Sequence, residues 1–261
     1  MGLDREAYLQ QRGARRAAEL AAAGGREVCW ACRRPHSTCL CAVVPPFDPG
    51  VQLVFLLHSE EDRKQRTGTG RLAHLALRGS RLFAGIDFSH HPQVEALATD
   101  PTVEPVLLFP GPAALDLSSL TQAPAAFRDR PLRVFVLDGT WALAPQILKR
   151  SLELQRLPRL SLTPGCRSRF AIKRQPFATA LSTIEAVHCL LTELERLGLA
   201  TPGGQQDRLL ELLQRLVEIQ ERCRARSDGA RHQAAKERRA QHRRAQGLPP
   251  PGGFREEPHG R

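Results

Sequence analysis

Short apolar runs recur along the middle of the chain and predict strands that are buried on both faces of a sheet. The two clearest runs are VQLVFLLH at 51–58 and LRVFVLD at 132–138, in which nearly every residue is apolar. Weaker runs of the same kind predict three further strands, at 80–85, 103–111 and 159–163.

Helical spacing of apolar residues appears between these runs. It is present at 70–79 and in the segment that follows Asp138 and continues to about residue 150. Proline suits only the first turn of a helix, so Pro145 predicts that the second of these helices begins near Leu143 or Ala144.

A third helix is predicted at 182–198, where Ser182 and Glu185 have the spacing of a capping box. Apolar residues then recur on one face, and Gly198 is typical of a helix end. A fourth amphipathic helix is predicted at 205–226. Strands that alternate with helices indicate an α/β domain with a mainly parallel sheet.

The chain of 261 residues is strongly basic, with a formal net charge of +11. Such a charge favours a polyanionic partner such as nucleic acid, although an arginine-rich composition with one basic tail is an alternative explanation. No apolar run is long enough to span a bilayer, and no secretory signal is apparent. We therefore expect a cytoplasmic protein with reduced cysteines, and no obligate protein partner is indicated.

Composition divides the chain into four parts. We predict an amino-terminal helix within 1–25, a cysteine-rich module at 26–49, an α/β domain at 50–221 and a basic tail at 222–261. The composition of the tail predicts a solvated, disordered segment. The functional interpretation of the same composition is an arm that binds RNA.

Four cysteines lie within thirteen residues in the pattern C-x2-C-x6-C-x-C. Thiolates at this spacing indicate a tetrahedral zinc site, and four protein ligands leave no open position, so the site would be structural. An iron–sulfur cluster and unliganded or redox-active thiols are alternatives, and His36 lies inside the loop as a possible substitute ligand. The predicted ligands are Cys29, Cys32, Cys39 and Cys41.

Two polar residues end the two clearest strands, His58 and Asp138, and the charged segment that follows His58 is predicted to be a loop. Ligands of open α/β sheets bind beyond the carboxyl ends of the strands, so both residues are candidates for a binding site. A hydrogen-bonded strand end is the alternative for His58. The segment GTGRLA at 68–73 matches a dinucleotide-binding fingerprint, but no strand precedes it, so we assign it no such role.

Four motifs together make the chain similar to the DTW-domain family, the tRNA-uridine aminocarboxypropyltransferases. They are CWACRRPHSTCLC, HSEEDRKQRTGTGRL, VLDGTWALAPQIL and LSTIEAV, in the order of the family, and they cover roughly residues 27–200. The family's D-x-T-W signature falls on Asp138, Thr140 and Trp141. Family members often have an asparagine where this chain has Gly68.

The resemblance implies a SPOUT-like α/β fold with a knotted carboxyl-terminal pocket that binds S-adenosylmethionine. It also implies transfer of the 3-amino-3-carboxypropyl group of this donor to N3 of a uridine in tRNA, which yields acp3U and methylthioadenosine. A SPOUT-type RNA methyltransferase and a non-catalytic zinc-ribbon RNA-binding protein are the alternative functions.

We expect the residues of this chain to divide into three groups beside the cysteines. Asp138 would act as general base, with Glu185 as the second candidate for that role, or would only contact the donor. Thr140 would cap the following helix or hydrogen-bond the uracil, and Trp141 would stack on a base or belong to the core. The donor would contact His58, Thr69, Gly70, Ser182, Thr183 and Glu185. The RNA would contact Arg63, Arg167, Arg169, Lys173 and Arg174, of which Lys173 or Arg174 fills the place of a family arginine.

Overall fold

A six-stranded sheet, parallel throughout, organises the part of the chain that the structure describes. The structure is a computed structural model, and it describes residues 27–64, 68–163, 165, 167–172 and 180–245. The strands are β1 (Gln52–His58), β2 (Arg81–Gly85), β3 (Glu104–Leu108), β4 (Leu115–Asp116), β5 (Leu132–Asp138) and β6 (Arg159–Ser161).

The strand order is β2-β1-β5-β3-β6-β4, so the two clearest apolar runs form the adjacent strands β1 and β5. All seven residues of β5 are buried, as the continuous apolar pattern predicts. The register pairs Leu57 with Asp138, which brings the carboxyl ends of β1 and β5 together. All five predicted strands are confirmed, and the two-residue strand β4 is too short to leave a pattern.

Helices cover both faces of the sheet. One face packs against α3, α4 and α5 through apolar side chains such as Val54, Phe135 and Ile147. On the other face α2 packs against β1 and α6. The helices are α1 (Ser59–Lys64), α2 (Thr69–Ala76), α3 (Pro92–Ala98), α4 (Ala144–Arg150), α5 (Leu152–Gln155), α6 (Thr183–Arg196) and α7 (Asp207–Ala245).

Helix α6 confirms the capping-box prediction. The Ser182 side chain and the Glu185 side chain each accept a hydrogen bond from the other residue's backbone N–H. The apolar stripe that follows is buried from Ile184 to Leu194. Helix α4 begins at Ala144, with Pro145 in its first turn, also as expected.

Two segments differ from expectation. The charged segment after β1, which we expected to be a loop, is helix α1 because Glu60, Glu61 and Asp62 occupy its first turn, where acidic side chains favour a helix. Helix α7 continues to Ala245, well past the expected end at residue 226. The basic segment expected to be disordered is thus helical to that point, since it is rich in alanine and arginine, which have high helix propensity.

The sequence of α7 is divided between two compact units, one ending at Val217 and the other beginning at Glu218. In the first unit the apolar residues of α7, such as Leu209 and Leu216, are buried. In the second unit the helix is exposed from residue 221 to residue 229. No helix among the described residues has the length and apolar character needed to cross a bilayer. The amino-terminal helix expected within 1–25 lies outside the described residues, and the knot and the four-part division stay predictions.

Candidate functional site

A cavity of about 420 Å³ opens at the carboxyl edge of the sheet, a volume typical of small-molecule sites. Its floor comes from the ends of β3, β5 and β6, and its sides come from the first residues of α2 and α6. Most of the lining is apolar, with a few polar groups near Asp138. The polar lining residues are Glu61, Thr69, Asp138, Thr140, Trp141, Ser161, Ser182 and Thr183.

Asp138 is one of two buried acidic residues that line this cavity, and Glu61 is the other. The Thr183 hydroxyl donates a hydrogen bond of 2.5 Å to its Oδ1 atom. Thr183 is the first residue of α6, so the carboxylate also lies at a helix amino terminus, where backbone N–H groups favour negative charge. The structure thus brings together two residues that are 45 positions apart.

Gly70 packs directly on the same carboxylate. A Cβ atom at residue 70 would lie 2.2 Å from both Cγ and Oδ2 of Asp138. We expected Gly70 to contact the donor. In the structure Gly70 packs on Asp138 and is not among the cavity-lining residues. Its neighbour Thr69 does line the cavity and is buried.

The Asp-Gly-Thr-Trp segment forms the turn that leaves β5. The Thr140 carbonyl accepts hydrogen bonds from the backbone N–H groups of Leu143 and Ala144, which starts helix α4. Trp141 lines the cavity and is 43% exposed, so it is not the core aromatic that one interpretation required. The ring therefore lies where a ligand can reach it.

Glu185 holds a neighbouring segment in place. Its carboxylate accepts hydrogen bonds from the Ser168 hydroxyl at 2.7 Å and the Arg169 backbone N–H at 2.6 Å, in addition to the N–H and hydroxyl of Ser182. Four donors thus surround a carboxylate that is almost fully buried. We expected Glu185 to contact the donor, but the cavity is lined by its neighbour Ala186 and by residues 181–183.

His58 is buried at the end of β1, and its Nδ1 atom accepts a hydrogen bond of 3.2 Å from the Glu60 backbone N–H. This bond assigns the ring proton to Nε2, which is buried and has no hydrogen-bond partner in the described part of the chain. His58 is not among the cavity-lining residues. The structure thus agrees with the interpretation of His58 as a hydrogen-bonded strand end.

The expected RNA-binding residues are only partly described. Arg167 and Arg169 are exposed, and the Glu185 carboxylate anchors the chain beside them. Lys173, Arg174 and the side chain of Arg63 lie outside the described part of the structure.

The four predicted cysteine ligands form one cluster. Their Sγ atoms lie within 4.8 Å of one another, and the pairs Cys29–Cys41 and Cys32–Cys39 are each separated by 3.7 Å. Sulfurs bound to one zinc ion at about 2.3 Å lie about 3.8 Å apart at the corners of a tetrahedron. The geometry therefore suits a single metal ion, whereas an iron–sulfur cluster spreads its ligands over several irons. His36 is exposed and lies outside the cluster.

The backbone around the first two cysteines folds into a tight turn. The Arg33 backbone N–H donates to the Cys29 carbonyl, the Cys29 N–H donates to the Arg34 carbonyl, and Arg33 has a φ of 57°. The Cys32 backbone hydrogen-bonds to the Cys29 sulfur and is the main reason why the pKa of Cys29 is lowered to about 6. A lowered pKa favours the thiolate, which is the form that binds metal.

Asp62 connects this cysteine-rich turn to the wall of the cavity. Its Oδ2 atom accepts a hydrogen bond of 2.7 Å from Arg33, and its Oδ1 atom accepts one from Arg71. Arg71 belongs to α2, next to Gly70 and Thr69. The sequence alone did not indicate this connection, because nothing in the pattern pairs these residues.

Comparison with known proteins shows which family the chain resembles. The family model described as the DTW domain matches residues 26–221. The chain is 30% identical to tRNA-uridine aminocarboxypropyltransferase 2 of Mus musculus over 199 residues, which are 75% of this chain and 64% of that protein. It is 24% identical to tRNA-uridine aminocarboxypropyltransferase A of Arabidopsis thaliana over 222 residues, which are 76% of this chain and 82% of that protein.

A third relative, tRNA-uridine aminocarboxypropyltransferase 2 of Macaca fascicularis, is 27% identical over 198 residues, with coverage of 75% of this chain and 64% of that protein. The chain thus spans less than two thirds of the length of the mouse and macaque relatives. No solved structure matches the chain. Since the match to the family model takes in the cysteine cluster, the cavity and most of the chain, the protein belongs to the DTW-domain family.

Proposed function

We propose that this protein transfers the 3-amino-3-carboxypropyl group from S-adenosylmethionine to N3 of a uridine in tRNA. The observation that carries the proposal is the hydrogen bond between buried Asp138 and partly buried Thr183 in a mainly apolar cavity. The names of the relatives support the reaction class. The cavity is large enough for a nucleoside-sized ligand.

When bound, S-adenosylmethionine supplies a carbon that is already activated by the neighbouring sulfonium. The transfer forms a bond from uridine N3 to this carbon and breaks the carbon–sulfur bond. Methylthioadenosine leaves, and the N3 proton passes to a base. Because the leaving group is activated, most of the protein's contribution is to position the two reactants in line.

Asp138 is the residue that we assign to the N3 proton. It is the carboxylate at the end of β5 that faces the cavity, and general bases must lie within hydrogen-bond distance of the proton that they accept. The Thr183 hydroxyl fixes the orientation of Oδ1, and Gly70 limits the movement of the carboxylate. Together these two contacts hold the base in one position.

The first turn of α6 is the part of the cavity that suits the carboxylate of the donor. Ser182 and Thr183 both line the cavity there, and a helix amino terminus binds anions through the backbone N–H groups that its capping box does not use. The apolar lining from β3 and β6, including Leu108, Phe109 and Leu160, suits the uncharged parts of the two reactants.

Trp141 and the basic residues provide the contacts to RNA in this proposal. Indole rings at the rim of a site bind unstacked bases by stacking, and Trp141 is exposed at such a position. Arg167 and Arg169 are exposed on the segment that Glu185 anchors, where they suit phosphate groups. The basic half of α7, at 222–245, adds a positively charged helix for the RNA backbone.

Zinc is the metal that we assign to the cysteine cluster. Four sulfurs at tetrahedral spacing match its preference, and four protein ligands leave no open position for chemistry. In this proposal Cys29, Cys32, Cys39 and Cys41 hold the ion, which organises the loops of residues 27–49. The ion thus supports the fold and takes no part in the transfer.

Incubation with unmodified tRNA and S-adenosylmethionine tests the proposal. Mass spectrometry of the digested nucleosides should show a uridine that has gained the aminocarboxypropyl group. A uridine that gains only a methyl group would identify an RNA methyltransferase instead. A protein that binds tRNA but shows no thermal stabilisation with S-adenosylmethionine would be a zinc-containing RNA-binding protein without this activity.

A further inference from the structure

Arg34 places a positive charge in the interior next to the cysteine cluster. The residue is only 2% exposed. Its Nε, Nη1 and Nη2 atoms are all buried, and no oxygen or nitrogen atom in the described part of the chain accepts a hydrogen bond from them. A buried guanidinium without an acceptor is costly, so its position requires a compensating negative charge.

The groups that supply negative charge here are the cysteine sulfurs. Arg34 follows Cys32 by two residues and both side chains are buried, and the four Sγ atoms of the cluster lie within 4.8 Å of one another. Arg34 is also joined to the turn by its carbonyl, which accepts the Cys29 backbone N–H at 2.7 Å. The buried charge and the four sulfurs therefore form one local unit.

We propose that Arg34 is the charge-balancing partner of the metal-bound thiolates and that it donates hydrogen bonds to them in the loaded protein. The inference rests on the zinc site proposed above. Four thiolates bound to Zn²⁺ carry a net charge of about −2, and a buried guanidinium offsets about half of it. Its five N–H donors suit several sulfurs at once, because thiolate sulfur accepts hydrogen bonds.

The neighbouring Arg33 provides a matched comparison. Its side chain is 49% exposed and donates to Asp62, away from the interior. The two adjacent arginines thus carry the same charge but have different partners. Removing Arg33 changes the net charge as much as removing Arg34, but leaves the surroundings of the thiolates intact.

Zinc affinity of the full chain, measured by competition with a chromophoric chelator, tests the role of Arg34. The variants Arg34→Met and Arg33→Met are compared with the unaltered protein. We expect Arg34→Met to bind zinc about 10- to 100-fold more weakly, the usual effect of losing an outer-shell partner, while Arg33→Met changes affinity by less than about threefold. Equal affinities of the two variants would overturn the inference.

A spectroscopic readout with Co²⁺ keeps the inference testable if Arg34→Met does not fold. Arg34→Lys and Arg33→Lys both retain the charge, but lysine lacks the forked donors of arginine. The thiolate-to-cobalt charge-transfer bands should shift in Arg34→Lys and remain unchanged in Arg33→Lys. Unchanged bands in both would overturn the inference. If the unaltered protein binds neither ion, the zinc assignment fails together with this inference, whereas the transferase proposal is tested separately by its product.

Discussion

Gly70 lies so close to Asp138 that a Cβ atom at residue 70 would approach Cγ of the carboxylate to 2.2 Å. A real Cβ atom cannot occupy that position, so any side chain at residue 70 must displace the carboxylate or the start of α2. This contact makes the geometry of the proposed base depend on a residue that does not itself line the cavity.

Replacing Gly70 with alanine should therefore reduce turnover. A displacement of about 1 Å at a reacting group costs on the order of 100-fold in rate, so we expect Gly70→Ala to lower kcat by about that factor. Gly111→Ala is the matched control, because an added Cβ atom there meets only Nη1 of Arg159 at 3.1 Å, the end of a flexible side chain. Steady-state kinetics with tRNA and S-adenosylmethionine measure both variants. Full activity of Gly70→Ala would show that the position of Asp138 does not limit the reaction.

Thr183→Val should separate the hydrogen bond to Asp138 from the shape of the side chain. Valine has nearly the same volume but cannot donate, and hydrogen bonds to charged groups contribute about 1.5–3 kcal/mol. We expect kcat/KM to fall about 10-fold or more. Thr192→Val is the control, since the Thr192 hydroxyl donates to the His188 carbonyl on the same helix. Equal kinetics of the two variants would remove Thr183 from the mechanism.

Glu185→Gln should mainly affect stability. The buried carboxylate accepts four hydrogen bonds, and the amide that replaces it has one acceptor oxygen and an NH2 group that faces donors. We expect the free energy of unfolding to fall by about 2–3 kcal/mol, measured by chemical denaturation.

The control for this substitution is Glu193→Gln on the same helix. Glu193 forms an i,i+3 ion pair with the partly exposed Arg196, and its loss should change stability by less than about 1 kcal/mol. Donor affinity of the folded Glu185→Gln variant should stay within about threefold of the original value, because changes that spare the contacts of a ligand have small effects on its binding. A large loss of donor affinity without a loss of stability would instead support our original expectation of a donor contact.

Metal removal should weaken donor binding through Asp62. This carboxylate joins Arg33 in the cysteine-rich turn to Arg71 in α2, the helix whose first residues border the cavity. Coupled sites typically change each other's affinity about fivefold or more, so we expect chelation to weaken binding of S-adenosylmethionine by at least that factor. Isothermal titration of loaded and chelated protein gives the two affinities.

In Asp62→Asn, chelation should weaken binding of S-adenosylmethionine by a smaller factor than in the unaltered protein, because the substitution weakens the link between Arg33 and Arg71. The control is Asp48→Asn, an aspartate of the same module whose carboxylate accepts a hydrogen bond from the Gly50 backbone N–H. If chelation has the same effect in Asp62→Asn as in the unaltered protein, Asp62 does not connect the two sites.

Local patterns were sufficient to predict the elements that carry the site. The apolar run that ends at Asp138 predicted β5, and the spacing of Ser182 and Glu185 predicted the start of α6. Both signals are local, because burial on both faces and helix capping each act within a few residues. The cysteine spacing likewise predicted the cluster.

Contacts between distant segments could not be predicted in this way. The packing of Gly70 on Asp138 and the hydrogen bond from Ser168 to Glu185 depend on how the strands and helices pack in three dimensions. Gly70 and Glu185 belong to motifs, and the motifs do not indicate that they contact Asp138 and Ser168; their contact with the donor stays a prediction. Arg34 was missed because an arginine beside cysteines in the sequence gives no sign of its burial.

The most direct test of the central claim follows two labels of S-adenosylmethionine into tRNA. One sample carries a heavy isotope in the carboxyl group of the donor, and the other carries it in the methyl group, and Asp138→Asn is run beside the unaltered protein. We predict that uridine acquires the carboxyl label and not the methyl label. We also predict that Asp138→Asn transfers the carboxyl label much more slowly than the unaltered protein. Incorporation of the methyl label, or of neither label by the unaltered protein, would contradict the account.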